Sequence, residues 1–233
     1  MATKMNCKIV TFADVYAMVK KISREVEASG YDPTTIIGLA RGGWVPARLM
    51  CDFLGITDLI SLKTEHWLQT GKTKDEATVR YPLTTNLNGK RVLIIDDITD
   101  TGKSLIIAQD YVHKHCCPET VKVATMQYLP QSQCHPDFFA EEVKVWTWFI
   151  YPWNWIEDTT TLIVRLLASH KGGEWNLNAI VEGLQESFTI TWNKKMLKDI
   201  LQIMVERGQV ETFPMKQNVT YKLKTEKVIE LSG

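Results

Sequence analysis

No stretch of this sequence reaches eighteen uninterrupted apolar residues, the least that crosses a bilayer as a helix, so membrane insertion is not expected. Neither sign of charge dominates. Lys and Arg total 27, as do Asp and Glu, so no global pull draws the chain to nucleic acid or anionic lipid. Any anion binding must be local. Cysteine is sparse and odd in number: Cys7, Cys51, Cys116, Cys117 and Cys134 contain no C-x-x-C pair, which argues against a disulfide framework and fits free thiols in a reducing compartment. The first twenty residues lack a continuous apolar core and a cleavage site, so the expected location is cytoplasmic. Repeats and low-complexity tracts are missing as well. What is present is average for a globular chain, with 45% apolar and 23% charged residues. A length of 233 residues suits one α/β unit with an appendage.

Helical spacing appears first at Phe12, Val15, Tyr16, Val19, Ile22 and Val26, ending before Gly30. A short apolar strand over 34–40 breaks at Arg41-Gly42-Gly43 and is followed by a helical pattern from Trp44 to Leu54. Further strands are predicted over 59–63, 91–96, 121–128 and 143–151, with a helix over 104–113. The stretch 64–88 is polar without sustained periodicity, and its middle reads as a mobile loop. Strands alternating with helices and glycine turns predict a doubly wound parallel sheet, whose ligands lie at the carboxyl ends of its strands. After Trp155 the texture changes to three helical patterns, over 160–169, 177–186 and 194–206, and two short runs, 209–213 and 219–223. This predicts a C-terminal helical domain, either of winged-helix type or a three-helix bundle with a terminal hairpin. The expected division is 1–155 and 156–233.

The strongest chemical feature is VLIIDDITDTGKS, Val92 to Ser104. It puts two adjacent acids at the end of a buried strand and then a turn that opens a helix. The amides of that turn and the hydroxyls of Thr101 and Ser104 form a nest for a phosphate monoester. Acids beside a phosphate nest need another task, and two carboxylates can accept hydrogen bonds from vicinal sugar hydroxyls or hold a hydrated Mg²⁺. A P-loop does not fit, because Ile98 stands where its first glycine belongs. The cluster His113, His115, Cys116 and Cys117 lies at a helix end where alternate residues diverge, which favours a structural role over zinc.

This motif resembles the signature of the type I phosphoribosyltransferases: an apolar strand, two acids, two variable residues, then Asp-Thr-Gly-x-Ser/Thr. Over residues 9–155 the chain looks most like the hypoxanthine and xanthine–guanine branch. The resemblance implies an enzyme of purine salvage that transfers a 5-phosphoribosyl group from phosphoribosyl pyrophosphate to a purine base. It implies that Asp96 and Asp97 bind the ribose hydroxyls, with Asp97 also meeting the Mg²⁺ carried by the substrate. Asp100 would handle a proton near the purine, and Asp100, Thr101, Gly102, Lys103 and Ser104 would hold the 5′-phosphate. Ala40, Arg41, Gly42 and Gly43 resemble the pyrophosphate loop, in which a non-proline cis peptide is often found. Residues 64–83 take the place of the flexible loop that closes over the site. Trp148 would stack on the purine, with the Phe149 backbone at its edge. A homodimer is the expected assembly.

One departure from the family pattern bears on the metal, Asn154 standing where an aspartate usually helps to hold it, and one bears on the substrate. Family members acting on 6-oxopurines carry a lysine whose ammonium donates to O6, whereas here Leu129 stands before Pro130 and no Lys or Arg occurs between Lys122 and Lys144. That leans towards adenine, with Leu129 beside the base; a 6-oxopurine stays open if water or His135 replaces the lysine as donor. A winged-helix tail also leaves open a transcription regulator sensing a phosphoribosyl ligand. The tail's charges balance, ten against ten, so nucleic acid is not the expected partner.

Overall fold

The computed structural model describes residues 4–66, 77–169, 175–215 and 218–224. The chain forms two compact units, one of residues 12–146 and the other of residues 1–11 with 147–233. Among the described residues no helix is long and apolar enough to cross a membrane.

The first unit is an α/β sheet. Its elements are α1 (Phe12–Ala28), β2 (Thr35–Ala40), α2 (Trp44–Leu54), β3 (Leu59–His66), β4 (Ala77–Val79), β5 (Arg91–Thr99), α3 (Lys103–Cys116), β6 (Thr120–Tyr128) and β7 (Phe138–Glu142), with β1 (Cys7–Ile9) belonging to the other unit. The strand order is β4-β3-β2-β5-β6-β7, parallel throughout except for the β3–β4 pair. Central strands β2 and β5 are near-continuous runs of Ile, Leu and Val because helices cover both faces. Alternate residues serve opposite faces: Ile37, Leu39, Val92 and Ile94 pack in one cluster with Leu105, Ala108 and Val112 of α3. Each such side chain contributes roughly 1.5–3 kcal/mol by leaving water. In α1, Val15, Val19, Ile22 and Val26 recur at helical spacing and are all buried, as their periodicity predicts.

The second unit pairs β1 in parallel with β8 (Trp148–Ile150), then passes through a 3-10 turn at Pro152–Asn154 into α4 (Trp155–Ser169). There follow β9 (Trp175–Asn176), α5 (Leu177–Phe188), α6 (Lys194–Glu206) and the hairpin of β10 (Val210–Met215) and β11 (Asn218–Leu223). Short β9 pairs with β11, giving a three-stranded sheet in the order β10-β11-β9. Helix, strand, two helices and a hairpin closed by the first strand is winged-helix order, not a bundle with a separate hairpin. One core joins all of it: Cys7 of β1 and Ile150 of β8 are buried with Leu162, Ile163, Leu166 and Leu167 of α4, Ile180 and Leu184 of α5, and Leu197, Ile200 and Leu201 of α6. Burial pushes the Cys7 thiol up to about 11, so it packs there as an apolar group.

The structure departs from the sequence expectations at three points. The expected boundary at 155/156 differs from the division into units, which falls at 11/12 and 146/147, because strand pairing and the shared core tie β1 and β8 to the tail. The single strand expected over 143–151 is replaced by β7 at 138–142 and β8 at 148–150. Between them Val145 and Trp146 are 69% and 47% exposed, so their apolar character does not reflect burial. Around the loop expected in the middle of 64–88, the flanks pair as strands, Thr64 to His66 against Ala77 to Val79. Only the central part of the 64–83 segment, residues 67–76, lies outside the described residues. The strand expected to end at Asp96 continues to Thr99, pairing Ile98 and Thr99 with Gln127 and Tyr128 of β6.

Candidate active site

Asp96 and Asp97 lie in the last four residues of β5, beside β2 in a parallel pair, so the loop leaving β2 emerges at the same edge of the sheet. That loop contains Ala40 to Gly43, and its Ala40–Arg41 peptide is cis. The Gly43 amide donates to Leu39 O at 2.8 Å, folding the loop back on its own strand. Side chains are excluded at both glycines. A Cβ on Gly43 would stand 2.2 Å from Ile95 O, and one on Gly42 would stand 2.1–2.6 Å from the Asp97 carboxylate atoms. The loop therefore rests on the second acid, and glycine is what permits the approach.

Each acid is oriented by the amide after it. Asp97 N–H donates to Asp96 Oδ1 and Ile98 N–H to Asp97 Oδ1, both at 2.9 Å. Burial, and then the neighbouring charge of Asp97, holds the Asp96 carboxyl well above the usual carboxylate range, against the opposing effect of the Asp97 amide. The folded state thus binds this proton more tightly than the unfolded chain. Its stability falls as pH rises from the ordinary carboxylate value, about 4, towards the higher folded one. Asp96→Asn does not titrate, so it is expected to raise the melting temperature at pH 7 and to raise it less at pH 4.5. Thermal melts at the two pH values check this; a gap that does not widen with pH contradicts it.

Beyond β5 the chain turns through Asp100 and Thr101, both exposed, to Gly102 in the left-handed region at φ 79°. Lys103 and Ser104 open α3. Thr101 Oγ1 accepts from the Lys103 amide at 3.4 Å, and the N-cap residue, Gly102, has no side chain with which to cap the helix. A helix N-terminus that follows a left-handed glycine suits an anion. The nest is braced by a turn that the sequence reading passed over, residues 129–134. A Cβ on Gly102 would meet Ser132 Oγ at 2.5 Å and Cys134 N at 2.6 Å, and Gln133 N–H donates to Thr101 O at 3.0 Å. Pro130 and the polar residues after it, Gln131 to Gln133, were the available signal for that turn.

Leu129 is placed differently from expectation. It is 1% exposed, its amide donates to Thr99 O and its carbonyl accepts from Ser132 N–H. It offers no open surface to a base and serves as the buried hinge of the turn. His135 is exposed and packs on Tyr128 and Phe139, with ring centroids 4.8 and 5.8 Å away. Trp148 and Phe149 belong to the other unit, in β8. There Trp148 is 42% exposed and Phe149 is buried, with the Lys8 ammonium 5.9 Å from its ring centroid. The structure thus brings 40–43 onto Asp97 and 129–134 onto 101–102 within one unit.

Residues 10–158 match the phosphoribosyl transferase domain. The chain belongs to that family. A xanthine-guanine phosphoribosyltransferase of Desulfotalea psychrophila is 30% identical over 121 residues, 51% of this chain and 69% of the relative. One of Cereibacter sphaeroides is 29% identical over 123 residues, 51% of this chain and 68% of its own length. Among solved structures, the purine phosphoribosyltransferase of Pyrococcus horikoshii superposes with a TM-score of 0.57 at 28% identity, covering 64% of this chain and 95% of the other. This phosphoribosyltransferase therefore carries residues 159–233 beyond the segment that defines its family. The paired acids, the glycine loop and the nest all lie inside that segment.

Proposed function

We propose that the chain transfers a 5-phosphoribosyl group from phosphoribosyl pyrophosphate to a purine. The observation that carries this is the packing of Gly42 on the Asp97 carboxylate, which joins the 40–43 loop to the paired acids at the strand edge that also holds the 100–104 turn. In this reading the 5-phosphate sits on the amides and hydroxyls of Thr101 to Ser104. Asp96 and Asp97 accept from the ribose hydroxyls, and the amides of 41–43 with exposed Arg41 face the diphosphate. The C1–oxygen bond to the diphosphate breaks, a C1–nitrogen bond to the base forms, and the base gives up one proton, which Asp100 is placed by resemblance to handle. Trp148 and Phe149 are assigned to the base on the same ground.

Mg²⁺ carried by the substrate would supply charge neutralisation at the leaving diphosphate, with Asp96 and Asp97 as the residues to hold it. Hard carboxylate oxygens suit it, and it is commonly held by one or two of them together with substrate phosphates and water. The Asp96–Asp97 pair is such a donor set.

The base proposed is adenine. A 6-oxo group needs a donor, and the turn that would supply one has no Lys or Arg from Val123 to Val143. Four of its amides are already engaged: Leu129 with Thr99 O, Ser132 with Leu129 O, Gln133 with Thr101 O and Cys134 with Ser132 Oγ. The second reading is a 6-oxopurine, favoured by relatives named for xanthine and guanine. A side-by-side product assay with adenine, hypoxanthine, guanine, xanthine and uracil separates the two. Adenosine monophosphate is expected as the main product, and none with excess chelator; robust turnover of guanine with none of adenine selects the second reading.

A further inference from the structure

Thr189 closes α5 with φ 60° and ψ 19°, and it is one of two residues other than glycine with positive φ among the described residues. For a β-branched side chain this is a costly conformation, and helix ends of this kind ordinarily carry glycine or asparagine. Such an outlier persists where its surroundings over-determine it. The surroundings here are the first strand. Thr189 Oγ1 accepts from the Cys7 amide at 3.2 Å, and its single proton can serve Phe188 O at 2.7 Å, Cys7 O at 3.2 Å or Asn6 Oδ1 at 3.2 Å. The Met5 amide donates to Ser187 O at 3.0 Å, so the end of α5 holds both Met5 and Cys7.

Those residues in turn hold β8. Asn6 O accepts from the Trp148 amide at 2.9 Å, Asn6 Nδ2 donates to Thr147 Oγ1 at 2.9 Å, and Cys7 pairs with Trp148 in the parallel register. Thr189 is thus linked to the backbone of Trp148 through Asn6 and Cys7. Neither residues 5–7 nor Thr189 lies in the segment that matches the family, which runs from 10 to 158.

We infer that Thr189 is a positioning residue for the base: its hydroxyl, acting through Asn6 and Cys7, sets where β8 presents Trp148. This rests on the reading that β8 holds the base. Loss of the hydroxyl loosens one partner of the strand without touching the phosphate nest, so it acts on the base and spares phosphoribosyl pyrophosphate. Thr189→Gly suits the test because glycine accepts φ 60° without steric cost, so the helix end is retained while the hydroxyl is lost.

Four full-length proteins suffice: wild type, Thr189→Gly, Thr189→Ser and Trp148→Ala. For Thr189→Gly the KM of the base is expected to rise about tenfold, the effect of one hydrogen bond, with kcat and the KM of phosphoribosyl pyrophosphate within about twofold. Thr189→Ser restores the hydroxyl and returns the base KM towards wild type. Hydrogen exchange of the Cys7 and Trp148 amides is expected to speed up in Thr189→Gly and slow again in Thr189→Ser. If Trp148→Ala raises the base KM while Thr189→Gly leaves it alone, the positioning role is wrong and the base site stands. If neither variant moves the base KM, the assignment of β8 to the base has failed and the positioning role with it. A Thr189→Gly protein in which both KM values and kcat worsen together assigns Thr189 to the fold alone and overturns the inference.

Discussion

Asp97→Ala is expected to lower kcat by about a hundredfold or more while the thermal transition stays cooperative. The side chain is partly exposed at the end of β5, so its removal leaves no core cavity. Its carboxylate nevertheless meets both the glycine loop and, in the proposed reaction, the sugar hydroxyls. Gly42→Ala should reach the same result from the opposite side. The added methyl would stand 2.1 Å from Asp97 Oδ2, and either the loop or the carboxylate must move. A displacement of about 1 Å at reacting groups costs roughly a hundredfold, so the two variants are expected to match within about tenfold. Steady-state turnover and circular dichroism melts on both proteins check this. Full activity of Asp97→Ala would end the mechanism, whereas full activity of Gly42→Ala alone would show that the loop leaves Asp97 during turnover.

Deletion of residues 158–233 is expected to leave a protein that is insoluble or binds a hydrophobic dye, not a smaller working enzyme. Cys7 and Ile150 pack against α4, α5 and α6, and Trp155 donates its indole N–H to Val10 O at 3.1 Å. Removing the three helices bares that apolar surface and strips β1 of the hydrogen bonds from α5. The first and eighth strands are built into the core that these helices form. Soluble fraction and near-ultraviolet circular dichroism are the measurements. A truncated protein with a cooperative melt and an unchanged KM for the base would make the tail an independent module.

Much of the central sheet was legible because its strands are covered on both faces and its helices on one, which leaves the two periodicities clear. The run Val92 to Ile95 and the stripe Val15, Val19, Ile22, Val26 are buried as read. Edge strands were harder. β7 reads FFAEE and β4 spans three residues, so neither offers a sustained pattern, and β9 has only Trp175 and Asn176. The placing of Asp96 and Asp97 at a strand end, with a glycine turn opening the next helix, was legible from spacing. Leu129 was set beside the base by resemblance, and position along the chain does not say which residue of a turn faces inward. The brace of Ser132 and Cys134 on Gly102 joins residues about thirty apart, and contacts at that separation leave no periodicity to read.

The pairing of β1 with β8 also sets an order of events during synthesis. The first strand leaves the ribosome some 140 residues before its partner strand and about 180 before Thr189. At roughly 5–20 residues per second it spends on the order of 7–28 s without β8. Within that interval residues 12–146, which form a compact unit of their own, are complete. The catalytic sheet can therefore fold first, while the opening strand closes the second unit only after the last helices have been made.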